Sequence, residues 1–373
     1  MQLTSLRTPA VVIDAARFER NIDRMQAAVD ARRLRLRPHA KTHKSPEIAR
    51  MQIARGAVGV CCAKLGEAEV FAESGIADIR LPYPINPVNA DRVVRLLDKT
   101  RLSFIVDDPA VAREWSARMQ AAGRNVDVLV KVDVGFHRCG IDPDRADAAE
   151  VVARIADLKG LSFRGLLSHA GQAYGATSEE ATAAVAAAEA RLLARLAADV
   201  EQHGVKCEEI SVGATPTARF SVQLDGITEM RPGNYVYYDR TQVGLGAAAW
   251  TDCALTVLAM VVSTPAPDRI ILDCGSKTLS NDMARGFTET RGHGVVFTSL
   301  DATAPDENMV IERLSEEHAN VRVLNGEHRL RTGDLVRVLP NHSCVVSNRV
   351  DAIWIDRGGA VESLPVAARG RIA

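Results

Sequence analysis

A lysine stands at the end of a short strand-like segment early in the chain. The segment LRLRPHAK ends at Lys41, which lies between His39 and His43. If this strand belongs to a parallel α/β barrel, functional groups are expected at its carboxyl end. A lysine there is a candidate Schiff-base nucleophile, because burial and neighbouring cationic groups favour the neutral amine that attacks a carbonyl. The alternative is a solvated surface lysine, since lysine side chains are mostly exposed.

Two later segments have the composition of an anion site. SVGATPT follows a predicted strand and places Gly213 and Thr215 in one loop with other hydroxyl side chains. Such a loop presents backbone N–H groups and hydroxyls to an anion, and α/β barrels often hold phosphate after their last two strands. RPGNYVYYD, which contains Gly233, Asn234 and Tyr235, would complete the site. The alternative is an ordinary turn between a strand and a helix.

Four more polar residues lie at or just beyond predicted strand ends. Arg138 in VDVGFHRCG follows a strand that should be buried, so it would be a fixed cation near a ligand, or else a loop arginine in a salt bridge. Ser168 and His169 end the segment LSFRGLLSH. Tyr174 lies six residues after Ser168 and is a candidate proton-transfer group, with simple packing as the alternative.

His342 and Cys344 lie in the segment LPNHSCVVSN, which we interpret as part of a strand. Alternate residues of a strand point to the same face, so this pair could bind one metal ion from one side. Imidazole and thiolate are ligands that suit Zn²⁺. Two ligands alone are a weak signal, and a buried cysteine beside a polar histidine is the alternative.

The elements that must position these residues change in character along the chain. Eight strand-like runs from LRLRPHAK to NYVYYD are mostly separated by helical stretches, and no GxGxxG turn follows the first strand. This pattern favours an α/β fold with a TIM-type (β/α)8 barrel over a doubly wound dinucleotide-binding sheet. After about residue 250 the strands are separated by turns. We predict a barrel over residues 10–248 and a β-rich domain over residues 249–373 that includes residues 1–9.

The composition narrows the class of protein. The chain has 373 residues, a formal net charge of -1 and no basic run, so nucleic acid is not expected as a partner. No signal-peptide pattern opens the chain and no stretch approaches the length of a membrane span, so no membrane association is expected. The seven cysteines are irregularly spaced, which is typical of reduced thiols and predicts a cytoplasmic protein.

Together these segments resemble the D-threonine aldolase and D-serine dehydratase family. Its members are fold type III pyridoxal-phosphate enzymes with an alanine-racemase-like barrel, and the similarity covers nearly the whole chain. The motifs that carry it are TPAVVID, RPHAKTHKSPEIA, CCAK, VDVGFHRCG, LSHAGQAY, SVGATPT, EMRPGNYVYYD, SEEH and PNHSC. The combination of RPHAK with a C-terminal HxC or HxD is specific to this family.

The resemblance implies roles for the residues singled out above. Lys41 would form the Schiff base, with His169 and Tyr174 as further catalytic groups, and His342 and Cys344 would bind a divalent metal (Mn, Mg or Zn) beside the cofactor. A homodimer is implied, in which the β-rich domain of one subunit lies near the barrel mouth of the other. The residues expected around pyridoxal 5'-phosphate are Lys41, Arg138, Ser168, His169, Gly213, Thr215, Gly233, Asn234 and Tyr235.

The resemblance also implies a lyase with a small amino-acid substrate. RPHAKTHKSPEIA and CCAK are similar to the aldolases, whereas LSHAG, SVGATPT and Cys344 are similar to the dehydratases. We predict retro-aldol cleavage of β-hydroxy-D-amino acids to glycine and an aldehyde. The alternative is dehydration of D-serine or D-3-hydroxyaspartate to a 2-keto acid and ammonia. A racemase, which should not need His342 and Cys344, and a non-catalytic pyridoxal-phosphate carrier, which would lack the β-rich domain, are further alternatives.

Overall fold

The computed structural model describes residues 2–373 and confirms the barrel. One strand, β1 (Ala10–Asp14), precedes it and lies outside it. The eight parallel barrel strands are β2 (Arg35–Leu36), β3 (Val60–Cys61), β4 (Asp78–Pro84), β5 (Arg101–Val106), β6 (Val126–Lys131), β7 (Leu161–Leu167), β8 (Glu209–Val212) and β9 (Glu229–Met230). They neighbour one another in the order β2-β9-β8-β7-β6-β5-β4-β3, and a parallel bridge between His39 and Cys61 closes the ring.

Helices connect the barrel strands and cover them. They are α1 (Ala15–Asp30), α2 (Pro46–Ile53), α3 (Leu65–Glu73), α4 (Ala90–Leu97), α5 (Pro109–Ala121), α6 (Ala148–Ala156), α7 (Glu179–Gln202), α8 (Ala218–Ser221) and α9 (Arg240–Gly244). Helix α1 begins where the Asp14 carboxylate accepts a hydrogen bond from the Arg17 N–H, and it buries Phe18 and Ile22 one turn apart. None of the helices in residues 2–373 is long and apolar enough to cross a membrane.

The second domain is mainly β-sheet. Its strands are β10 (Leu255–Ala266), β11 (Arg269–Leu272), β12 (Val295–Phe297), β13 (Met309–Leu314), β14 (Ala319–Val323), β15 (Leu335–Leu339), β16 (Ala352–Asp356) and β17 (Val361–Pro365). The main path is β13-β14-β11-β10-β1-β16-β17, and β15 pairs with both β10 and β12. Two short helices, α10 (Ser276–Leu279) and α11 (Ser343–Ser347), interrupt it.

The first strand corrects the predicted start of the barrel domain at residue 10. Strand β1 pairs antiparallel with β10 and parallel with β16, so it is a central strand of the second sheet. Val11 and Ile13 pack into the main core, while Val12 packs on the opposite face with Leu258. A strand that is apolar on both faces needs cover on both faces, and the closed barrel has no edge that could receive it.

Charged residues fill the barrel interior near the amino-terminal ends of the strands. Glu229 accepts hydrogen bonds from Arg80 and from Arg37 Nε, the latter at 2.9 Å. Arg80 also donates to Glu209 Oε2 at 2.8 Å, and Arg37 donates to Asp78 at 2.5 Å. Every member of this buried network therefore has an opposite charge in contact, as burial of charge requires.

Candidate active site

Loops at the carboxyl ends of the barrel strands and two segments of the second domain enclose a cavity of about 550 Å³. This volume suits a small-molecule or cofactor site. The site residues predicted from the sequence that line it are Lys41, Arg138, His169, Tyr174, Gly213, Thr215, Gly233, Asn234, His342 and Cys344. Parallel strands bring their carboxyl ends to the same edge, which explains why residues so distant in sequence meet here.

Lys41 lies in a short 3-10 helix, Ala40–Thr42, directly after the first barrel strand. The backbone N–H of Lys41 donates to His39 Nδ1 at 3.4 Å, which fixes the turn that presents the lysine to the cavity. Burial lowers the pKa of His39 well below its ordinary value, and Lys41 and Arg231 lower it further, so the imidazole is neutral. The Lys41 amine forms no ion pair with any residue in 2–373 and is free to react with a ligand.

His169 forms one side of the cavity. Its Nδ1 is hydrogen-bonded to the carbonyl oxygen of Gly213, so Nδ1 carries the proton and Nε2 does not. Burial lowers the pKa of His169 well below its usual range, with Lys41 and Lys131 adding to the effect, so the ring is neutral. The ring meets Phe136 edge-on, with the ring centroids 5.8 Å apart. A fixed, neutral aromatic ring of this kind can lie against a flat ligand.

Arg231 lies at the floor of the cavity, immediately after β9. Its Nε donates to Ser211 Oγ at 2.7 Å, and its guanidinium also donates to the carbonyl oxygen of Ser168. Ser211 Oγ in turn donates to Glu229 Oε1 at 2.6 Å. The ionic network inside the barrel therefore holds the arginine that faces the cavity.

The backbone after β8, which was predicted to bind an anion, lines the cavity. The N–H groups of Gly213, Ala214 and Thr215 line the cavity and donate no hydrogen bond to another group of the described chain. Gly233 and Asn234 lie beside them at the start of the 3-10 helix Asn234–Val236. Buried backbone N–H groups are almost always paired, so a row of free ones suits a ligand such as a phosphate.

Arg138 is presented by a tight loop after β6. Asp133 Oδ1 accepts hydrogen bonds from the N–H groups of Gly135 and His137, both at 3.0 Å. Gly140 has a φ of +125°, and a Cβ there would lie 2.5 Å from the backbone nitrogen of Asp133, so only glycine closes this loop. The Arg138 guanidinium lies 5.2 Å from the centre of the Phe136 ring. The loop thus fixes the backbone of a cation that lines the cavity.

Two predicted cofactor contacts have side chains that point away from the cavity. Ser168 is fully buried, and its hydroxyl donates to Glu189 Oε1 at 2.5 Å. The Tyr235 hydroxyl accepts a hydrogen bond from Gln52 Nε2 at 2.9 Å behind the barrel wall. Ser168 precedes His169 at a strand end, where successive side chains point in opposite directions, so only one of the two can face the cavity.

Tyr174 reaches the cavity from the 3-10 helix Gly171–Gly175. Its hydroxyl lies 3.5 Å from Gln242 Nε2. Burial raises the pKa of Tyr174 above its ordinary value, and the nearby Cys344 and Asp239 raise it further. The phenol therefore stays protonated near neutral pH and can donate a hydrogen bond or a proton, but it is a poor base.

The predicted strand through His342 and Cys344 is wrong, although the two side chains do meet. Strand β15 ends at Leu339, because Pro340 has no N–H with which to continue the ladder. His342 precedes the short helix α11, and Cys344 lies within it. The two side chains approach each other across the start of a helix and line the same wall of the cavity.

The surroundings of this pair suit metal binding. His342 Nδ1 is hydrogen-bonded to Asp282 Oδ2 at 2.8 Å, which leaves Nε2 as the ring nitrogen available on the side of Cys344. Burial alone would raise the pKa of the Cys344 thiol, but His342 and Lys41 more than offset this, and the pKa is lowered toward the thiolate that binds metals. No cluster of three His, Cys, Asp or Glu side chains that could hold a metal occurs in residues 2–373. The donor set thus fits an open site with positions left for water or substrate, rather than a closed structural site.

Comparison with known proteins agrees with the geometry. The family described as "Alanine racemase, N-terminal domain" matches residues 13–241, and the family of serine dehydratase domains matches residues 254–355. A D-threonine aldolase from Arthrobacter sp is 34% identical over 99% of this chain and 94% of its own length. The chain belongs to this family of aldolases and dehydratases. A D-threo-3-hydroxyaspartate dehydratase from Delftia sp. is also 34% identical, over 94% of each chain.

Solved structures of the family have the same architecture. The dehydratase from Delftia sp. HT23 superposes with a TM-score of 0.92 at 33% identity and covers 98% of each chain. A D-threonine aldolase from Filomicrobium marinum superposes with a TM-score of 0.89 at 30% identity, over 100% of this chain and 98% of its own. The named relatives are lyases, and the fold family depends on pyridoxal phosphate, as the resemblance predicted.

Arg231, Asp282 and Arg285 are charged cavity residues that were not identified from the sequence. Arg231 directly follows the last barrel strand, so the rule that selected the other strand ends would also have selected it. Asp282 and Arg285 come from the irregular segment between α10 and β12 and carry no local signal. Their position depends on the path that this irregular segment takes beside the cavity. The pattern of hydrophobic residues in the sequence does not encode that path.

Proposed function

We propose that this protein is a pyridoxal-phosphate-dependent lyase of the D-threonine aldolase type, which cleaves β-hydroxy-D-amino acids to glycine and an aldehyde. The observation that supports this most is one cavity that contains both the Lys41 amine and the His342–Cys344 pair. A racemase would need the Lys41 amine but not the His342–Cys344 pair. Dehydration to a 2-keto acid and ammonia is the second candidate, because the Delftia dehydratase is as similar to this chain as the Arthrobacter aldolase.

The cavity residues fit pyridoxal phosphate. Lys41 would hold it covalently, and the free N–H groups of Gly213, Ala214 and Thr215 would bind its phosphate. The neutral His169 ring would lie against the flat heterocycle, while the Arg231 cation would face its edge. The bound cofactor supplies an electron sink for the bond that breaks at Cα.

The protein's own groups would then move protons. The Lys41 amine would be the base that takes the Cα proton in the dehydration route. Tyr174 remains protonated and would donate to a developing negative charge. The neutral His39 and His169 contribute no positive charge that would compete with Lys41 for an anion.

We also propose that His342 and Cys344 hold a divalent metal (Mn, Mg or Zn), with Zn²⁺ favoured by the imidazole and thiolate donors. With two protein ligands the ion would keep positions open for the β-hydroxyl of the substrate, and it would act as a Lewis acid there. Because the pair lies on one wall of the cavity, the hydroxyl can be held from one side only, which favours one configuration at Cα.

Assembly and location are part of the same proposal. We infer a homodimer with active sites near the interface and a cytoplasmic location. The resemblance to the family implies the homodimer, and the seven cysteines, all free in the structure, suit a reducing compartment. Gel filtration with light scattering measures the oligomeric state, and a monomer at micromolar concentration would contradict the proposed homodimer.

The deciding experiment compares four substrates with the holoenzyme. D-Threonine and D-allothreonine should both react, whereas L-threonine should not, and D-alanine should be neither cleaved nor racemised quickly. Acetaldehyde and glycine identify the aldolase, and 2-ketobutyrate and ammonia identify the dehydratase. Comparable turnover of L-threonine, or rapid racemisation of D-alanine on chiral chromatography, would contradict the proposal.

Chelation tests the metal separately. Removal of divalent metal should abolish turnover and leave pyridoxal phosphate bound, because the two sites use different residues of the cavity. His342→Ala should behave like the chelated enzyme. Full activity after chelation, with metal absence confirmed by elemental analysis, would remove the metal from the mechanism and favour the racemase.

A further inference from the structure

The segment Ser280–Phe287 borders the cavity and is held by three hydrogen bonds, two to helix α9 and one to the second domain. Asn341 Nδ2 donates to the carbonyl oxygen of Asp282 at 2.9 Å. The N–H of Arg285 donates to Thr241 Oγ1 at 3.2 Å, and the N–H of Phe287 donates to the carbonyl oxygen of Gly244 at 2.9 Å. The backbone of this segment therefore has a fixed position over the cavity.

Gly244 makes one of these contacts possible. A Cβ at Gly244 would lie 2.5 Å from the carbonyl oxygen of Arg285, so only glycine lets helix α9 approach the segment this closely. The close approach sets where the Arg285 side chain begins. The backbone of Arg285 is thus fixed, although its guanidinium makes no hydrogen bond or ion pair within residues 2–373.

The Arg285 guanidinium lines the cavity without a partner. Within residues 2–373 it forms no ion pair and no side-chain hydrogen bond, whereas Arg231 is held by Ser211 and Arg138 lies against Phe136. Lys41 is assigned to the cofactor. Arg285 is therefore the cavity cation for which the proposed cofactor contacts leave no role, and it belongs to the second domain.

The place of Arg285 follows from its neighbours. Asp282, three residues earlier on the same segment, contacts His342 at 2.8 Å, so Arg285 lies on the wall that contains the His342–Cys344 pair. Its charge also reaches Tyr174, where it opposes the rise in pKa that burial causes. If the β-hydroxyl of the substrate binds at His342 and Cys344, the other substituent on Cβ lies near the same wall.

We propose that Arg285 determines specificity by pairing with a carboxylate on Cβ, so that the preferred substrates are β-hydroxy-D-amino acids with an acidic side chain, such as 3-hydroxy-D-aspartate. This inference rests on the proposed function and names its substrate class. A guanidinium pairs with a carboxylate through two parallel hydrogen bonds, and it gains nothing from the methyl group of threonine.

The test compares kcat/KM for D-threo-3-hydroxyaspartate and D-threonine in the wild-type holoenzyme and in Arg285→Met. The wild type should prefer the acidic substrate. The variant should lose about 10–100-fold on that substrate, mainly through KM, and should stay within about threefold of wild type on D-threonine. Arg285→Lys should recover part of the loss, since it restores a point charge without the planar fork.

Arg291→Met is the matched control, because Arg291 follows on the same stretch of chain but lines a different surface depression. It should leave both substrates unchanged. An equal loss on both substrates in Arg285→Met would assign Arg285 to the common α-carboxylate and overturn the inference. A wild type that prefers D-threonine, or an Arg285→Met variant with no loss, would overturn it as well.

Binding of D-aspartate separates this inference from the reaction itself. D-Aspartate has the second carboxylate but no β-hydroxyl, so it can bind without being cleaved or dehydrated. By calorimetry the wild-type holoenzyme should bind D-aspartate more tightly than D-alanine, and Arg285→Met should lose most of that difference. If no β-hydroxy-D-amino acid is turned over, the proposed function fails, and this calorimetric difference still decides whether Arg285 recognises the carboxylate.

Discussion

The two ends of the barrel both contain charged residues, but they use charge differently. At the amino-terminal end, Arg37 and Arg80 contact the carboxylates of Glu229, Glu209 and Asp78, and all of these except the partly exposed Asp78 are buried. At the carboxyl end, the cations that line the cavity contact no carboxylate in residues 2–373. These cavity cations are Lys41, Arg138, Arg231 and Arg285.

The same eight strands therefore carry charged residues with two roles, stabilising the fold at one end of the barrel and binding a ligand at the other. The buried arginines at the amino-terminal end are paired with carboxylates, as burial of charge requires. These ion pairs stabilise the fold and leave no unpaired charge to bind a ligand. At the mouth, Lys41, Arg138 and Arg285 are exposed to solvent. Arg231 is buried, but it is held by oxygen atoms of Ser211 and Ser168 and not by a carboxylate. Ser211 joins the two ends, because it donates to Glu229 and accepts from Arg231. The ion-pair network at the amino-terminal end thereby orients Arg231, which lines the cavity.

The largest expected effect is at the open end, in Lys41→Ala. The variant should lose the visible absorbance of the bound cofactor and at least about 10³-fold in kcat, since it removes the attachment point and a base together. Spectra and steady-state kinetics measure both. Lys64→Ala is the control, because Lys64 follows the next barrel strand and lies outside the cavity, against Tyr83. An unchanged cofactor spectrum in Lys41→Ala would exclude Lys41 as the attachment point.

Substitutions at the amino-terminal end of the barrel should instead change the free energy of unfolding. Glu229→Gln leaves Arg37 and Arg80 without their shared carboxylate and should lower the free energy of unfolding by about 3–5 kcal/mol. Chemical denaturation measures this loss. Glu208→Gln is the control, because Glu208 makes a half-exposed pair with Arg164 and should change stability by less than about 1 kcal/mol.

The same variant should show a defined pH dependence. Burial alone would raise the pKa of Glu229, but Arg80 and Arg37 lower it to about 2, against roughly 4.3 when unfolded. A carboxyl group with a lowered pKa stabilises the fold above its unfolded pKa and loses that contribution as pH falls. The difference between wild type and Glu229→Gln should therefore shrink between about pH 4.3 and 2. A constant difference over this range would show that the network does not act through this charge.

A smaller effect is expected for the group that orients His342. Asp282→Asn should keep the fold but weaken metal affinity by about 10–100-fold, because a histidine ligand is positioned through its second ring nitrogen. Competition with a chromogenic chelator measures the affinity without reference to turnover. Asp268→Asn, in a depression far from the cavity, should leave affinity unchanged. Equal affinities in Asp282→Asn and wild type would show that His342 needs no such partner.

The smallest effect concerns Lys131, a buried lysine beneath the cavity. Burial and, next, Arg231 lower its pKa to about 7, against roughly 10.4 when unfolded. As pH rises, Lys131 therefore loses its proton in the folded state before it does so in the unfolded state. The wild-type lysine destabilises the fold most below pH 7, where it is charged in both states, and progressively less toward pH 10. Lys131→Met should be more stable than wild type by about 1 kcal/mol at pH 6, and the gain should decline as pH rises. Urea titrations across this range measure it, and a gain that grows with pH would contradict the assignment.

Much of the barrel and of its site was determined by local sequence. The eight strand-like runs are the eight barrel strands, and Lys41 stands at the end of the first, because alternation of apolar residues and the turn residues between them are local signals. SVGATPT places free N–H groups at the cavity for the same reason. His342 and Cys344 were also found, although the strand assigned to them ends at Leu339.

What the sequence left open depends on packing between distant segments. Strand β1 joined the second sheet because β10 and β16, more than 200 residues later, pair with its two edges. Ser168 turned away from the cavity to reach Glu189, and Asp282 met His342 across 60 residues of chain. Side-chain direction and long-range pairing are decided by which surfaces exclude water together, and only the tertiary structure contains that information.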